Sequence, residues 1–362
     1  MECRRRGGQK WMPDRRAQRN TLDTPQPLAI SSGDPGGIGP EIALRVALQA
    51  RLHDRLVLFG DAEWLCARAQ ALGVPSEALR RFAPEAPLVL APGELGIADA
   101  GVRWTEAASE HCATARGGQA QLAALDRAID AALSGQVRGL VTAPMSKQAV
   151  NLAGAAFSGH TEHLARRCGL ADDAVTMLFL GPKLRTGLVT THVSIARAPS
   201  EITEPRVLRT ILHTGEALLR SAPRRPSQPF VLAVAGLNPH AGEAGLFGDE
   251  EPRVLAPAIA AARVRPPFDS GAIELRGPLG AETAFRQAAS GQLDGVVAML
   301  HDQATIASKL LDWGQAVNVT WGLPFVRTSV DHGVAYDAAA SGKVDSDGMA
   351  AALAMAQRLT AD

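Results

Sequence analysis

Aromatic residues are scarce in this chain of 362 residues: nine phenylalanines, five tryptophans and one tyrosine, 4% in all. Cysteine is scarcer, with four residues (Cys3, Cys66, Cys112, Cys168) that lie far apart and form no CxxC pair. This excludes a disulfide-framed secreted module and a local zinc knuckle, and leaves buried or incidental thiols in a reducing compartment, the cytoplasm. Neither sign of charge is in excess, with 37 Lys plus Arg against 37 Asp plus Glu. That balance argues against nucleic acid or a membrane surface as partner, while a local basic pocket stays open. No apolar run approaches the length of a membrane span. Residues 1–24 are Arg-rich but lack an apolar h-region, so they are no secretory signal. A disordered tail is expected there, or a start placed too early with Met12 as one alternative. The dinucleotide fingerprint GxGxxG is also missing.

What is present alternates strand with helix. Pro27–Ile30 reads as a first strand, leading through the glycine-rich Gly33-Asp34-Pro35-Gly36-Gly37-Ile38-Gly39-Pro40-Glu41 into helical spacing over Ile42–Ala50. Such a loop suits either an anion or a sharp turn. Further strands are expected at Arg55–Gly60, Leu88–Leu90, Val102–Trp104, Gly139–Pro144, Val175–Leu180 and Leu184–Thr190. Helices are expected to about Leu72, over Gln119–Leu133, within Glu201–Leu219, over Glu250–Ala262 and Ala281–Ala289, and from about Asp347 to the end. Thr161, or a residue near it, is a candidate helix N-cap. This order points to an α/β fold with a mostly parallel sheet. The length accommodates two lobes or one large unit over residues 25–362. Boundaries are weakly marked, and strands that leave one lobe and return suggest interleaving.

Three apolar runs stop at histidines. Gly295–Leu300 ends at His301-Asp302, Leu188–Thr191 at His192, and Val231–Leu237 reaches His240 after Asn238-Pro239. A short apolar run bounded by polar residues reads as a buried strand, although a buried helix has the same pattern. In open α/β sheets ligands gather beyond the carboxyl ends of strands. A single histidine there is usually a satisfied structural residue. Three in the same context point to a three-imidazole metal site with an open position. Their separations, 48 and 61 residues, mean that only the fold can assemble them.

The ordered blocks now carry a resemblance. Gly33–Glu41, Thr142-Ala143-Pro144, Gly159-His160-Thr161-Glu162, Thr190-Thr191-His192, Gly236–Glu243, His301-Asp302-Gln303 and Gly322–Gly333 together resemble the 4-hydroxythreonine-4-phosphate dehydrogenases of pyridoxal phosphate synthesis. The resemblance implies two interleaved α/β lobes with a central cleft, like isocitrate and isopropylmalate dehydrogenases. It implies a homodimer with the site at its interface. It makes His192, His240 and His301 the ligands of a divalent metal, zinc by ligand chemistry, with magnesium, manganese or cobalt also able to serve. The metal would steady the substrate's 3-alkoxide as hydride leaves for NAD, and then the enolate left by decarboxylation.

By the same resemblance His160, Thr161, Lys309, Asn318 and Arg327 contact a small phosphorylated hydroxy acid, Arg327 being suited to phosphate. Asp302 and Lys309 are the catalytic candidates. Lys309 is either a substrate contact or the proton donor to the enolate; alone it would read as a solvated helix lysine. Asp331, His332, Gly333 and Asp337 resemble the adenosine loop of the wider dehydrogenase group. Departures fall near the pocket: Ala304–Ser308 replaces the usual segment before the lysine, Trp321 replaces a smaller aliphatic residue, and Val334 and Ala340 replace threonine and glycine. The expected reaction is oxidation and decarboxylation of 4-phosphohydroxy-L-threonine. The alternatives are a paralogue acting on D-threonate or D-erythronate 4-phosphate or a cis-dihydrodiol dicarboxylate, and an acyl or phosphoryl transferase of related fold.

Overall fold

A computed structural model describes residues 26–104, 110–171, 173–223 and 228–361. The tail expected over residues 1–24 lies outside them. Among the described residues twelve strands form one sheet: β1 (Leu28–Ser31), β2 (Leu56–Gly60), β3 (Leu79–Phe82), β4 (Leu95–Asp99), β5 (Gly139–Thr142), β6 (Thr176–Leu180), β7 (Arg185–Leu188), β8 (Phe230–Ala235), β9 (Ile273–Leu279), β10 (Gly295–Ala298), β11 (Val317–Trp321) and β12 (Val326–Ser329). Their spatial order is β3-β4-β2-β1-β5-β12-β11-β6-β7-β10-β8-β9. The chain builds one half through β5, crosses to the other for β6 to β10, and returns through β11 and β12. That is the expected interleaving. The last helix, Asp347–Thr360, packs back on β12, β5 and β11.

Both ends of the sheet are parallel, and β12, β11, β6 and β7 between them pair antiparallel. Three reversals in succession make the two parallel blocks run in opposite directions. β7, β10 and β8 are parallel neighbours, so the segments that follow them emerge side by side at one edge. His192, His240 and His301 all lie on those segments.

The strands read as continuous apolar runs because both sheet faces are covered. Leu28 and Ile30 of β1 pack in one cluster with the helix Gly39–Ala50, whereas Ala29 packs on the opposite face with Leu125 and Ile129 of the helix Ala115–Leu133. In β8, Leu232 and Val234 face one side and Ala233 and Ala235 the other.

Two strand expectations are corrected. Leu88–Leu90 and Val102–Trp104 are not strands; the ladder beside β2 is made by β4 and β3. Leu88, Leu90 and Trp104 are buried plugs without ladder partners, which gives them the apolar signature of strands. The helix His160–Arg167 has its N-cap close to Thr161, at Gly159, without a side-chain cap. The Glu250–Ala262 stretch enters its helix, Ala256–Arg263, through a π-turn over Glu251–Leu255.

Candidate active site

His301 opens the helix His301–Leu311 directly after β10. Gln303 braces that junction. Its Oε1 accepts from the Met299 and Leu300 amides at 3.0 and 3.1 Å, and its Nε2 donates to the Gly236 carbonyl after β8 at 3.2 Å. The His301 ring is turned by its neighbour, with Nδ1 2.7 Å from Asp302 Oδ1. His192 arrives at the same edge because pairing with β10 continues past β7: the Val189 and Thr190 amides donate to Ala298 and Met299. The His192 and His301 ring centres lie 5.7 Å apart. His192 Nδ1 stands 4.0 Å from Glu162 Oε1, and the imidazole holds the Glu162 carboxyl below its usual range.

His240 sits differently. It begins a left-handed run in which His240, Ala241, Glu243 and Ala244 all have positive φ. L-residues pay for that conformation, on the order of 1–2 kcal/mol each. The turn is held by buried Glu251, whose carboxylate accepts from the Leu237 and Asn238 amides at 2.9 and 2.8 Å and from Asn238 Nδ2. The His240 ring lies against Phe247. Among the described residues of one chain, no three His, Cys, Asp or Glu side chains gather into a metal-sized cluster. The donor set of His192 and His301 nevertheless suits a divalent cation, since each Nδ1 faces a carboxylate and leaves Nε2 as the ligand atom.

The anionic half of a substrate has a matching environment. Arg327 of β12 is buried, with Nε and Nη2 donating to Thr142 Oγ1 at 3.2 and 2.7 Å and Nη1 to Thr320 Oγ1 at 2.9 Å. Burial lowers its pKa to about 9, against the support of Glu162. Half-buried His160 has its Nε2 shut from solvent and unpartnered. Burial, with Arg327, His163 and Lys147 adding repulsion, keeps that imidazole neutral well below its usual titration range. Thr161 follows in the first helical turn. Asn318 Oδ1 of β11 is likewise buried without a partner. Lys309 Nζ, near the far end of its helix, stands 3.7 Å from Asp331 Oδ2. Burial raises the Asp331 pKa, and Lys309, His332 and His301 counter it.

The remaining cofactor candidates lie beyond Asp331. His332, Gly333 and Asp337 are exposed. A cavity of about 350 Å³ lies between the glycine-rich turn and the segment that follows them, lined in part by Gly37, Glu41, Trp64, Arg68, Ala339 and Val344.

Comparison with known proteins matches residues 52–356 to the family of the pyridoxal phosphate biosynthetic protein PdxA. The chain belongs to this family. It is 40% identical over 342 residues to a 4-hydroxythreonine-4-phosphate dehydrogenase of Geobacter metallireducens, covering 92% of this chain and 95% of that protein. It is also 40% identical over 334 residues to a D-threonate 4-phosphate dehydrogenase of Salmonella typhimurium, covering 92% and 98%. The crystal structure of a 4-hydroxythreonine-4-phosphate dehydrogenase from Klebsiella pneumoniae superposes with a TM-score of 0.75 at 36% identity, covering 93% of this chain and all of that one.

Two residues of this candidate site escaped sequence reasoning. Glu162 directly follows His160 and Thr161 in the chain. Lys147 followed Thr142-Ala143-Pro144, and its ammonium lies beside Gly159 and acts on both His160 and Glu162. A basic residue directly after a strand-end turn was the available signal.

Proposed function

We propose that this protein is an NAD- and divalent-metal-dependent dehydrogenase that oxidises and decarboxylates 4-phosphohydroxy-L-threonine to 3-amino-2-oxopropyl phosphate. The observation that carries the reading is Arg327. It is a buried guanidinium whose hydrogen-bond partners are hydroxyls, so its charge remains available to an anion, beside a neutral His160 with an unpaired ring nitrogen. A phosphorylated acid satisfies both.

When bound, a divalent cation at His192, His240 and His301 supplies Lewis-acid stabilisation of negative charge on the substrate, and NAD accepts the hydride. The chain's own residues do the rest. Asp302 and Glu162 orient the two imidazoles, Arg327 and His160 hold the phosphate end, and Lys309 delivers a proton from Nζ to carbon after carbon dioxide leaves. Asn318 Oδ1 accepts a hydrogen bond from the substrate. Asp331 holds Lys309 in place through their ion pair, while His332, Gly333 and Asp337 receive NAD.

A second copy of the chain completes the site in this reading. Support comes from Ile306, Leu310 and Trp313, large apolar side chains exposed on and just beyond the helix that His301 opens. An exposed apolar patch of this kind marks an interaction surface.

Equal identity to a D-threonate 4-phosphate dehydrogenase favours one second reading, in which the same site takes that sugar acid. The test is NADH formation by metal-loaded enzyme offered 4-phosphohydroxy-L-threonine, D-threonate 4-phosphate and D-erythronate 4-phosphate in parallel. Highest kcat/KM on the amino acid supports the primary reading, and preference for a sugar acid replaces it with the second. No NADH from any of the three overturns both.

A further inference from the structure

The single tyrosine of the chain, Tyr336, opens the short helix Tyr336–Ser341. Its hydroxyl donates to Asp34 Oδ2 at 2.8 Å, joining two segments about three hundred residues apart in sequence. Asp34 lies in the glycine-rich turn and is 1% exposed. Its other acceptor sites are filled by the Gly36 amide at 2.9 Å and by Gln121 Nε2 at 3.0 Å. Gln121 is fixed in turn by the Ser146 amide, 2.8 Å from its Oε1.

The same segments meet at a second point. The Ile38 amide donates to the Val334 carbonyl at 2.9 Å, and a Cβ on Gly37 would stand 2.5 Å from that oxygen. Only glycine permits this approach. Between the two pins Ala335 is left-handed, at φ 48° and ψ 60°. An alanine does not choose that conformation unaided, so the pins hold it there. The cavity between the glycine-rich turn and residues 339–344 borders this junction.

We propose that the Tyr336–Asp34 hydrogen bond is a latch that holds residues 331–344 in the shape that receives the dinucleotide, making the two residues a positioning pair for cofactor affinity. This rests on the NAD reading above. Neither residue touches reacting atoms, so the latch acts on binding of the dinucleotide and leaves the chemical step alone. Removing the phenol hydroxyl releases the loop, and Ala335 relaxes out of the left-handed region.

The test uses full-length, metal-loaded enzyme carrying Tyr336→Phe, Asp34→Asn, both together, and Tyr336→Phe with Ala335→Gly. Tyr336→Phe should weaken NADH binding in a fluorescence titration and raise KM for NAD, each about fivefold to tenfold, as for loss of one buried hydrogen bond. kcat and KM for the phosphorylated acid should stay within about twofold. The double variant should be no worse than the worse single one, because the two side chains act through one bond. Ala335→Gly should restore part of the lost affinity, since glycine holds the left-handed backbone without the latch. Amides of residues 331–344 should exchange faster with deuterium in Tyr336→Phe. Unchanged exchange there, or parallel shifts in kcat and both KM values, overturns the latch. Wild-type enzyme that binds no dinucleotide overturns the NAD reading, and the exchange measurement still decides the latch.

Discussion

Arg327 and Thr142, from neighbouring parallel strands, are joined by two hydrogen bonds from the guanidinium to one hydroxyl, at 3.2 and 2.7 Å. A hydroxyl orients the cation without cancelling its charge. The geometry therefore separates two roles that a single substitution usually confounds.

Arg327→Met removes a buried charge and its desolvation cost, together with the hydrogen bonds to Thr142 and Thr320. It also removes the phosphate partner. The expected outcome is a little-changed melting temperature together with loss of turnover at accessible substrate concentrations. Arg327→Lys keeps charge but not the fork, and should raise KM for the phosphorylated acid roughly 10- to 100-fold. Thermal melts beside steady-state kinetics decide it; equal KM values in wild type and the lysine variant would remove Arg327 from the anion site.

The paired carboxylate and imidazole at Asp302 and His301 lead to a metal-affinity prediction. Asp302→Asn leaves the ligand nitrogens in place but weakens the acceptor on Nδ1, and should reduce metal affinity about 10- to 100-fold. His192→Ala, His240→Ala and His301→Ala should each abolish stoichiometric metal retention after dialysis. Chelation should stop turnover, and added divalent metal should restore it. Metal content by mass spectrometry, with cobalt absorption as an independent signature, reads all four variants. A His240→Ala protein that keeps its metal would show that the left-handed turn serves another purpose.

Lys309 and Asp331 pose a question of assignment, because the segment that resembles a cofactor loop begins with the lysine's ion-pair partner. Lys309→Met should lower kcat about 10²- to 10⁴-fold, the range for loss of a general acid. Asp331→Asn should lower kcat by a smaller factor and leave KM for NAD unchanged. A raised KM for NAD with kcat intact would instead make Asp331 a cofactor contact.

Much of this architecture was legible because burial on both faces leaves a plain mark: β1, β2, β5 and β6 fall within two residues of their apolar runs. The same mark misled at Leu88–Leu90 and Val102–Trp104, where side chains are buried but no strand lies alongside to accept hydrogen bonds. Apolar pattern records burial, and ladder pairing is a tertiary fact. The three histidines stood out in the sequence because each follows a strand, and the parallel adjacency of β7, β10 and β8 brings the segments that carry them to one sheet edge. Glu162 and Lys147 were passed over because nothing in their spacing shows that the first turn of the His160–Arg167 helix lies against His192. Tyr336 gave no sign either, since its partner Asp34 lies near the other end of the chain.

His213 supplies a prediction about stability that is independent of catalysis. It lies in the helix Glu204–Ser221, is 5% exposed, and places Nδ1 2.8 Å from Thr176 Oγ1. Burial, with Arg209 adding repulsion, pushes its pKa down to about 4 from an ordinary 6.5. The folded protein therefore holds the ring neutral where the unfolded chain takes up a proton. The sign follows: the contribution to stability is complete above about pH 6.5 and is lost as pH falls toward about 4. Its size is about 2–3 kcal/mol between pH 7.5 and 4.5. Urea unfolding at those two pH values, for wild type and for His213→Gln, isolates the effect from the carboxylates common to both. Wild type should lose about 2–3 kcal/mol more than the variant on acidification. Equal losses would mean that His213 is protonated inside the fold at pH 4.5, with the helix adjusting to accommodate the charge.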